Sequence, residues 1–210
     1  MRYEKGRKDA SRQRIIEVAA ERFRSDGIAA SGLAGIMNEA GLTNGAFYPH
    51  FKSKAELVRE SVGAALEDQA HRMQEAFDAG GLDAVLAVYL SPEHRDDPGS
   101  GCVCAALLPE LARQPPETRR FHAERLLGIV RQMASSLPPQ TRNPEGVALG
   151  VYATLIGALQ LARAAKGTPL SDRVLAAGAD AVRVMVQPPH HEPTAPRRKS
   201  SPNTRKKKTS

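Results

Sequence analysis

Long apolar runs are what this chain lacks most plainly. No stretch of eighteen apolar residues occurs, so the sequence predicts no membrane-spanning segment. Its N-terminus, MRYEKGRKDASRQR, is charged and has no apolar centre, which predicts no secretory signal. Cysteine is scarce: Cys102 and Cys104 are the only two. They stand too close in sequence to suggest a disulfide framework, and they fit a reducing, cytoplasmic setting. Alternating Val/Ile/Thr segments and internal repeats are also missing. The 17 Gly and 15 Pro fall mostly between periodic apolar stretches, and this predicts an all-α protein. With 210 residues the chain suits one or two domains and can bury a real core.

Charge is present and unevenly placed. The formal net charge is +7. Residues 1–60 carry 11 basic and 8 acidic groups, residues 61–187 carry 12 and 14, and residues 188–210 carry 7 and 1. Basic ends around a mildly acidic middle suit ends that meet phosphate and a middle with another task.

Local signals divide the chain into about nine helices. Ile15, Ile16, Ala19 and Phe23 form one apolar stripe over residues 9–24, and Gly27 stops that helix. Ser31 is a candidate N-cap for a second helix carrying Leu33, Ile36 and Met37. Gly41 permits the tight turn, and Thr43 then caps a third helix over residues 44–50. Ser53 and Glu56 form a capping box at the head of a long helix reaching about residue 78. Gly80-Gly81 breaks it before a short helix over residues 82–90 and a polar loop, SPEHRDDPGSG. Further helices follow over residues 102–113, with Pro109 interrupting, over 116–137, over 143–165, and from Ser171 with Leu170 stapled to Leu175. Helix, Gly turn and short helix is the layout of a helix-turn-helix, whose second helix enters the DNA major groove.

Gly27, Ser31, Ile36, Ala40-Gly41-Leu42-Thr43, Gly45, Phe47-Tyr48, His50-Phe51, Ser53-Lys54 and Leu57 resemble the N-terminal signature of the tetracycline-repressor (TetR) family of bacterial transcription regulators. The resemblance covers roughly residues 10–60. It implies a three-helix DNA-binding head at residues 1–60, a ligand-binding and dimerisation domain at 61–187, and a basic, disordered tail at 188–210. It further implies that Tyr48, His50 and Lys54 meet backbone phosphate, and Ser31 and Gly45 join the DNA-facing set. Thr43 and Asn44 open the recognition helix, where side chains reach base edges, and Asn has the donor and acceptor to read adenine. Pro49 departs from regular helix by removing a backbone donor, and Gly32 lacks the polar side chain common there.

Cys102 and Cys104 have two readings, as small buried core residues or as a thiol sensor at a helix N-terminus. In a regular helix their side chains point roughly opposite ways. No second Cys or His pair stands at zinc spacing, so no metal is expected, and no cofactor. Gly150, Ala153, Gly157, Ala158, Ala177, Gly178 and Ala181 are small residues at helical spacing; by the resemblance they pair the last two helices with those of a second copy. His71, Tyr89, His122, Arg125 and Tyr152 are candidate polar groups of a ligand pocket. The resulting expectation is a non-enzymatic homodimer in the bacterial cytoplasm, associated with the nucleoid. It binds a palindromic double-stranded operator, represses transcription, and is released by an unidentified small-molecule effector. A C-x-C thiol oxidoreductase and a sequence-nonspecific DNA binder are the rival readings.

Overall fold

Phe47 and Phe51 explain how the N-terminal head closes. Their rings stack at 5.6 Å and are each 1% exposed, packed into the core with Ile15, Ala19 and Phe23. A computed structural model of the chain describes residues 2–187. Helix α1 (Arg2–Asp26) presents its stripe to α2 (Leu33–Glu39) and to the start of α3 (Lys54–Tyr89). Gly41 has φ +73, a left-handed conformation that any side chain would strain, and it turns the chain from α2 toward residue 43. A single turn of 3-10 helix (Asn44–Ala46) follows, where the spacing predicts a helix over 44–50. The reason is Pro49, which has no N–H for the Gly45 carbonyl. The chain instead continues as turns, with His50 and Phe51 N–H both donating to Phe47 O at 2.9 and 3.0 Å.

Helix α3 begins at the predicted capping box. Ser53 Oγ accepts from Glu56 N at 3.1 Å, and the Glu56 carboxylate accepts in turn from Lys52 N at 2.7 Å. Its non-helical residues are Gly80 and Gly81, the latter at φ +66. The break expected at Gly80-Gly81 is therefore present, and the two helical segments on either side of it together form α3. Among the described residues the count is eight α-helices plus the 3-10 turn, and no strand.

Five further helices complete the fold: α4 (Pro92–Asp96), α5 (Val103–Leu111), α6 (Pro116–Ser135), α7 (Pro144–Ala164) and α8 (Pro169–Val186). The expected polar loop hides α4, one turn capped by Ser91 Oγ accepting from His94 N at 3.0 Å. Pro109 leaves α5 unbroken because the carbonyl it orphans, Ala105 O, receives Gln160 Nε2 of α7 at 3.1 Å. Helix α8 starts at Pro169 rather than Ser171. Leu170 is 53% exposed, so it forms no staple, and Ser171 is buried with its hydroxyl on Ala162 O at 2.8 Å. Helix α7 also departs from expectation, since by length and composition, at mean hydropathy 1.5, it could cross a membrane. Gly, Thr and Gln interrupt its apolar run without adding charge, and its buried face packs into the core with Leu155, Leu159 and Ala162. The basic tail at 188–210, with His190-His191, lies outside the described residues.

Candidate nucleic-acid interface and buried thiol cluster

Buried and exposed positions alternate through residues 43–52 in a way that aims side chains outward. Phe47 and Phe51 are anchored inside, while Thr43, Asn44, Gly45, Tyr48 and Lys52 are exposed. Tyr48 is 72% exposed, and its ring meets Phe47 edge-on at 5.3 Å. A large aromatic held from below and open to solvent, with a hydroxyl at its tip, suits phosphate contact. His50 is half-buried beside it, and its Nδ1 is buried without a partner. Burial, then the charges of Lys8 and Arg12 on α1, hold its pKa below the ordinary 6.5. Lys8 is exposed, while Arg12 lies over the Phe51 ring at 4.9 Å and pairs with Glu60. This α1 contribution is invisible in the motif, because the helical stripe identifies only the buried face.

Two expected contacts are redirected. Ser31 is fully buried, and its hydroxyl donates to Gly27 O at 2.7 Å. It therefore ties the α1–α2 loop together and is neither on the surface nor the N-cap of α2, a place Gly32 takes. Lys54 directs its ammonium to Ile28 O at 2.5 Å, clamping the same loop to the start of α3. Its remaining N–H groups are what it has left for an anion.

The second cluster surrounds Cys102. This residue is the N-cap of α5 in extended backbone, and its Sγ accepts from Ala105 N at 3.4 Å. Cys102 thus lies outside the regular helix, in which Cys104 is the second residue. Burial pushes the Cys102 thiol up, but hydrogen bonding from Cys104, the Tyr89 hydroxyl, the Ala105 amide and the Gln69 side chain outweighs it, and its pKa is lowered. The Cys104 thiol moves the other way, chiefly through the same contact and burial. His94 also reaches this cluster. Its Nε2 accepts from Cys102 N at 2.9 Å, and its Nδ1 contacts Tyr89 O at 2.7 Å, which assigns the neutral Nδ1–H tautomer. On the other side, His122 Nε2 lies 3.5 Å from Cys104 Sγ. Gln69 and the Tyr89 and Tyr152 hydroxyls are also buried here, against the two sulfurs. Of the polar residues expected in a pocket, Tyr89, His122 and Tyr152 are buried, His71 is exposed, and Arg125 lies outside on Glu67 and Phe121.

Two cavities adjoin this cluster. One, of about 250 Å³, is almost wholly apolar and lies among α3, α6, α7 and α8, with Phe77, Ile129 and Val151 in its wall. The other, of about 550 Å³, is lined by Gln69, Arg72, Tyr89, His94 and Cys102. Met73 and Val85 belong to both walls. Contacts run from here to the head. Arg24 of α1 donates to Gly99 O at 2.5 Å, and Glu110 of α5 accepts from Ala29 N at 2.9 Å. Beyond the cavities, Leu149 and Leu161 on α7 and Leu170, Val184 and Met185 on α8 are exposed apolar side chains. Gly157 lies along the same α7 stripe with open space where a Cβ would go. Gly178 differs, since a Cβ there would meet Ala158 at 2.6 Å, so that small pair serves packing within the chain.

Known proteins resemble both halves of this description. The model of the tetR family of bacterial regulatory proteins matches residues 15–61. A probable helix-turn-helix transcriptional regulator of Pseudomonas putida, ArpR, is 38% identical over 73 residues, 35% of each chain. TtgR, a second helix-turn-helix regulator from Pseudomonas putida, is 41% identical over 70 residues, 32% of this chain and 33% of that one. The chain thus spans about a third (35% and 33%) of the length of these curated relatives. Over the whole fold, the reduced form of E. coli NemR has a TM-score of 0.71 at 19% identity, covering 86% of this chain and 99% of that one. At that identity the likeness is one of fold. Residues 15–61 thus carry the signature of the tetR family of bacterial regulatory proteins, ahead of an all-helical body that shares its fold with NemR.

Proposed function

We propose that this protein is a homodimeric, DNA-binding transcription repressor of the bacterial cytoplasm and nucleoid, released from its operator by a small molecule. The observation that carries this reading is the outward edge at residues 43–52, held rigid by Phe47 and Phe51, on a helix-turn-helix head. Thr43, Asn44 and Gly45 face base edges, and Tyr48 and His50 face phosphate, with Lys54 adding charge from the α3 N-terminus. Two heads are needed to read two half-sites. The exposed apolar stripes of α7 and α8 supply the surface on which two copies pair.

The effector site is the apolar cavity among α3, α6, α7 and α8. A ligand there acts only through unequal affinity for two spacings of the heads. Helix α5 is the connecting element, because its N-cap borders the polar cavity and its Glu110 holds the α1–α2 loop. A thiol-reactive effector is a specific form of this reading, favoured by Cys102 in the wall of the polar cavity with a lowered pKa. The oxidoreductase alternative is not favoured, since both cysteines are at most 1% exposed and no βαβ unit exists among the described residues. Fluorescence anisotropy with operator and with random duplex tests the docking. Tyr48→Ala should weaken both alike, and Asn44→Ala should change the ranking of sequences. Parent-like binding by Tyr48→Ala at physiological salt would overturn the assigned edge.

A further inference from the structure

Helix α1 carries one stripe with two characters. Ile15, Ala19 and Phe23 face the core and are fully buried. Continued toward the N-terminus at the same helical spacing, the stripe reaches Arg12 and Lys8, and there it turns basic. Contacts fix the direction of that face. The Arg12 guanidinium lies over the Phe51 ring at 4.9 Å and pairs with Glu60 of α3. Lys8 stands one turn further out on the same face, and it is exposed. Residues 6–10 are all exposed, so this part of α1 overhangs the packed head.

Beneath the overhang lies the end of the recognition segment. Phe51, under Arg12, has its ring 6.3 Å from that of His50, and His50 Nδ1 is buried without a partner. Burial first, and then the charges of Lys8 and Arg12, disfavour a proton on His50. Two nearby carboxylates have partners of their own: Glu60 holds Arg12, and Glu56 accepts from Lys52 N. Lys8 is thus a charge on the inward face of a helix, where the pattern elsewhere places an apolar residue. Cations gathered beside His50 repel one another unless an anion joins them. The surface is continuous with the exposed edge at Tyr48, and a DNA backbone laid on that edge brings a dense row of negative charge.

We propose that the basic inward turn of α1 is a further DNA contact, in which Lys8 and His50 clasp one backbone phosphate between them. This contact rests on the docking reading of residues 43–52, which it extends to α1. Lys8 supplies the charge, and neutral His50 supplies one N–H. A lysine ammonium is a point charge without the planar fork that reads a base edge, so Lys8 adds affinity and no sequence preference. Arg12 is a positioning residue: held by Phe51 and Glu60, it keeps α1 over the segment.

Anisotropy titrations of the full-length protein test this, on a random-sequence duplex and on the palindrome that selection enriches. Salt is varied from about 50 to about 200 mM. Lys8→Ala should lower the slope of log affinity against log salt by about 0.9 for each bound head, on both duplexes, and leave the ranking of sequences unchanged. Lys8→Arg should restore the slope. Arg131→Ala, which removes one charge from α6, should leave it unaltered. A second measurement needs no variant. Bound duplex should slow acetylation of Lys8 in the parent by an N-hydroxysuccinimide ester, read by peptide mass spectrometry, and leave exposed Lys166 unchanged. An unchanged slope in Lys8→Ala, an equal change in Arg131→Ala, an altered ranking or unslowed acetylation would overturn the site. If Tyr48→Ala weakens binding and Lys8→Ala does not, the edge stands and α1 has no part in it. If both variants bind like the parent, the docking reading fails, and this contact fails with it.

Discussion

Ser31 and His94 show how burial assigns a polar side chain to structure. The TetR-like motif puts Ser31 on DNA, yet its hydroxyl is enclosed and donates to Gly27 O. Ser31→Ala should therefore cost about 1 kcal/mol of stability, seen as a lower urea midpoint, while leaving DNA sequence preference unchanged. An altered preference at full stability would return Ser31 to the interface. His94 accepts the Cys102 N–H only while neutral. Burial holds its pKa below 6.5, and burial does the same at His122. The unfolded chain thus takes up protons that the folded chain refuses as pH falls through 6.5. Stability is full above that pH and declines as pH drops through the unfolded value toward the lowered folded ones. Denaturant midpoints between about pH 8 and about pH 5 should record this decline. His94→Gln, whose amide oxygen can accept the same N–H, should lessen it. An equal decline in that variant would remove His94 from the account.

Helix α7 carries small residues in two different settings, Gly157 facing open space and Ala158 against Gly178, and substitutions separate them. Gly157→Leu has open space within the chain, so the monomer should keep its thermal midpoint while light scattering shows a weakened dimer. Gly178→Leu collides with Ala158 and should destabilise the fold by about 1–3 kcal/mol. A stable dimer in Gly157→Leu would place the interface elsewhere. Helix α5 has its own test. Glu110→Ala frees Ala29 N–H, so hydrogen exchange at residues 27–31 should quicken relative to the parent. What is legible in the sequence follows from which signals are local. The Ser53 cap, the Gly41 turn and the α1 stripe are written in neighbouring residues, and each is readable there. Helix α4 is not, because one polar turn has no apolar period. The recognition segment reads too long, since one missing donor at Pro49 turns a helix into successive turns. The thiol cluster is only half readable. Gln69, Tyr89, Cys102, His122 and Tyr152 come from three different helices and the loop that caps a fourth, and no spacing along the chain announces that they meet.

At the scale of the molecule, charge and connection divide the labour. The head and the tail are basic, and the middle is mildly acidic. Arg24 to Gly99 O and Glu110 to Ala29 N join head and middle through the loop and helix that border Cys102. The tail holds seven basic residues and no reader of bases. Removing residues 189–210 should keep sequence preference and flatten the salt dependence of DNA affinity, by about 0.9 in slope for each phosphate that the tail neutralises. An unchanged slope would mean that the tail does not touch DNA. The central claim is that the head reads a specific duplex as one half of a pair. Selection of the purified protein against a random duplex library, followed by footprinting of the enriched sequence, tests it most directly. The account predicts one enriched palindrome, protected on both half-sites, with that protection absent in Tyr48→Ala. Enrichment of no sequence, with equal affinity for every duplex, would contradict it.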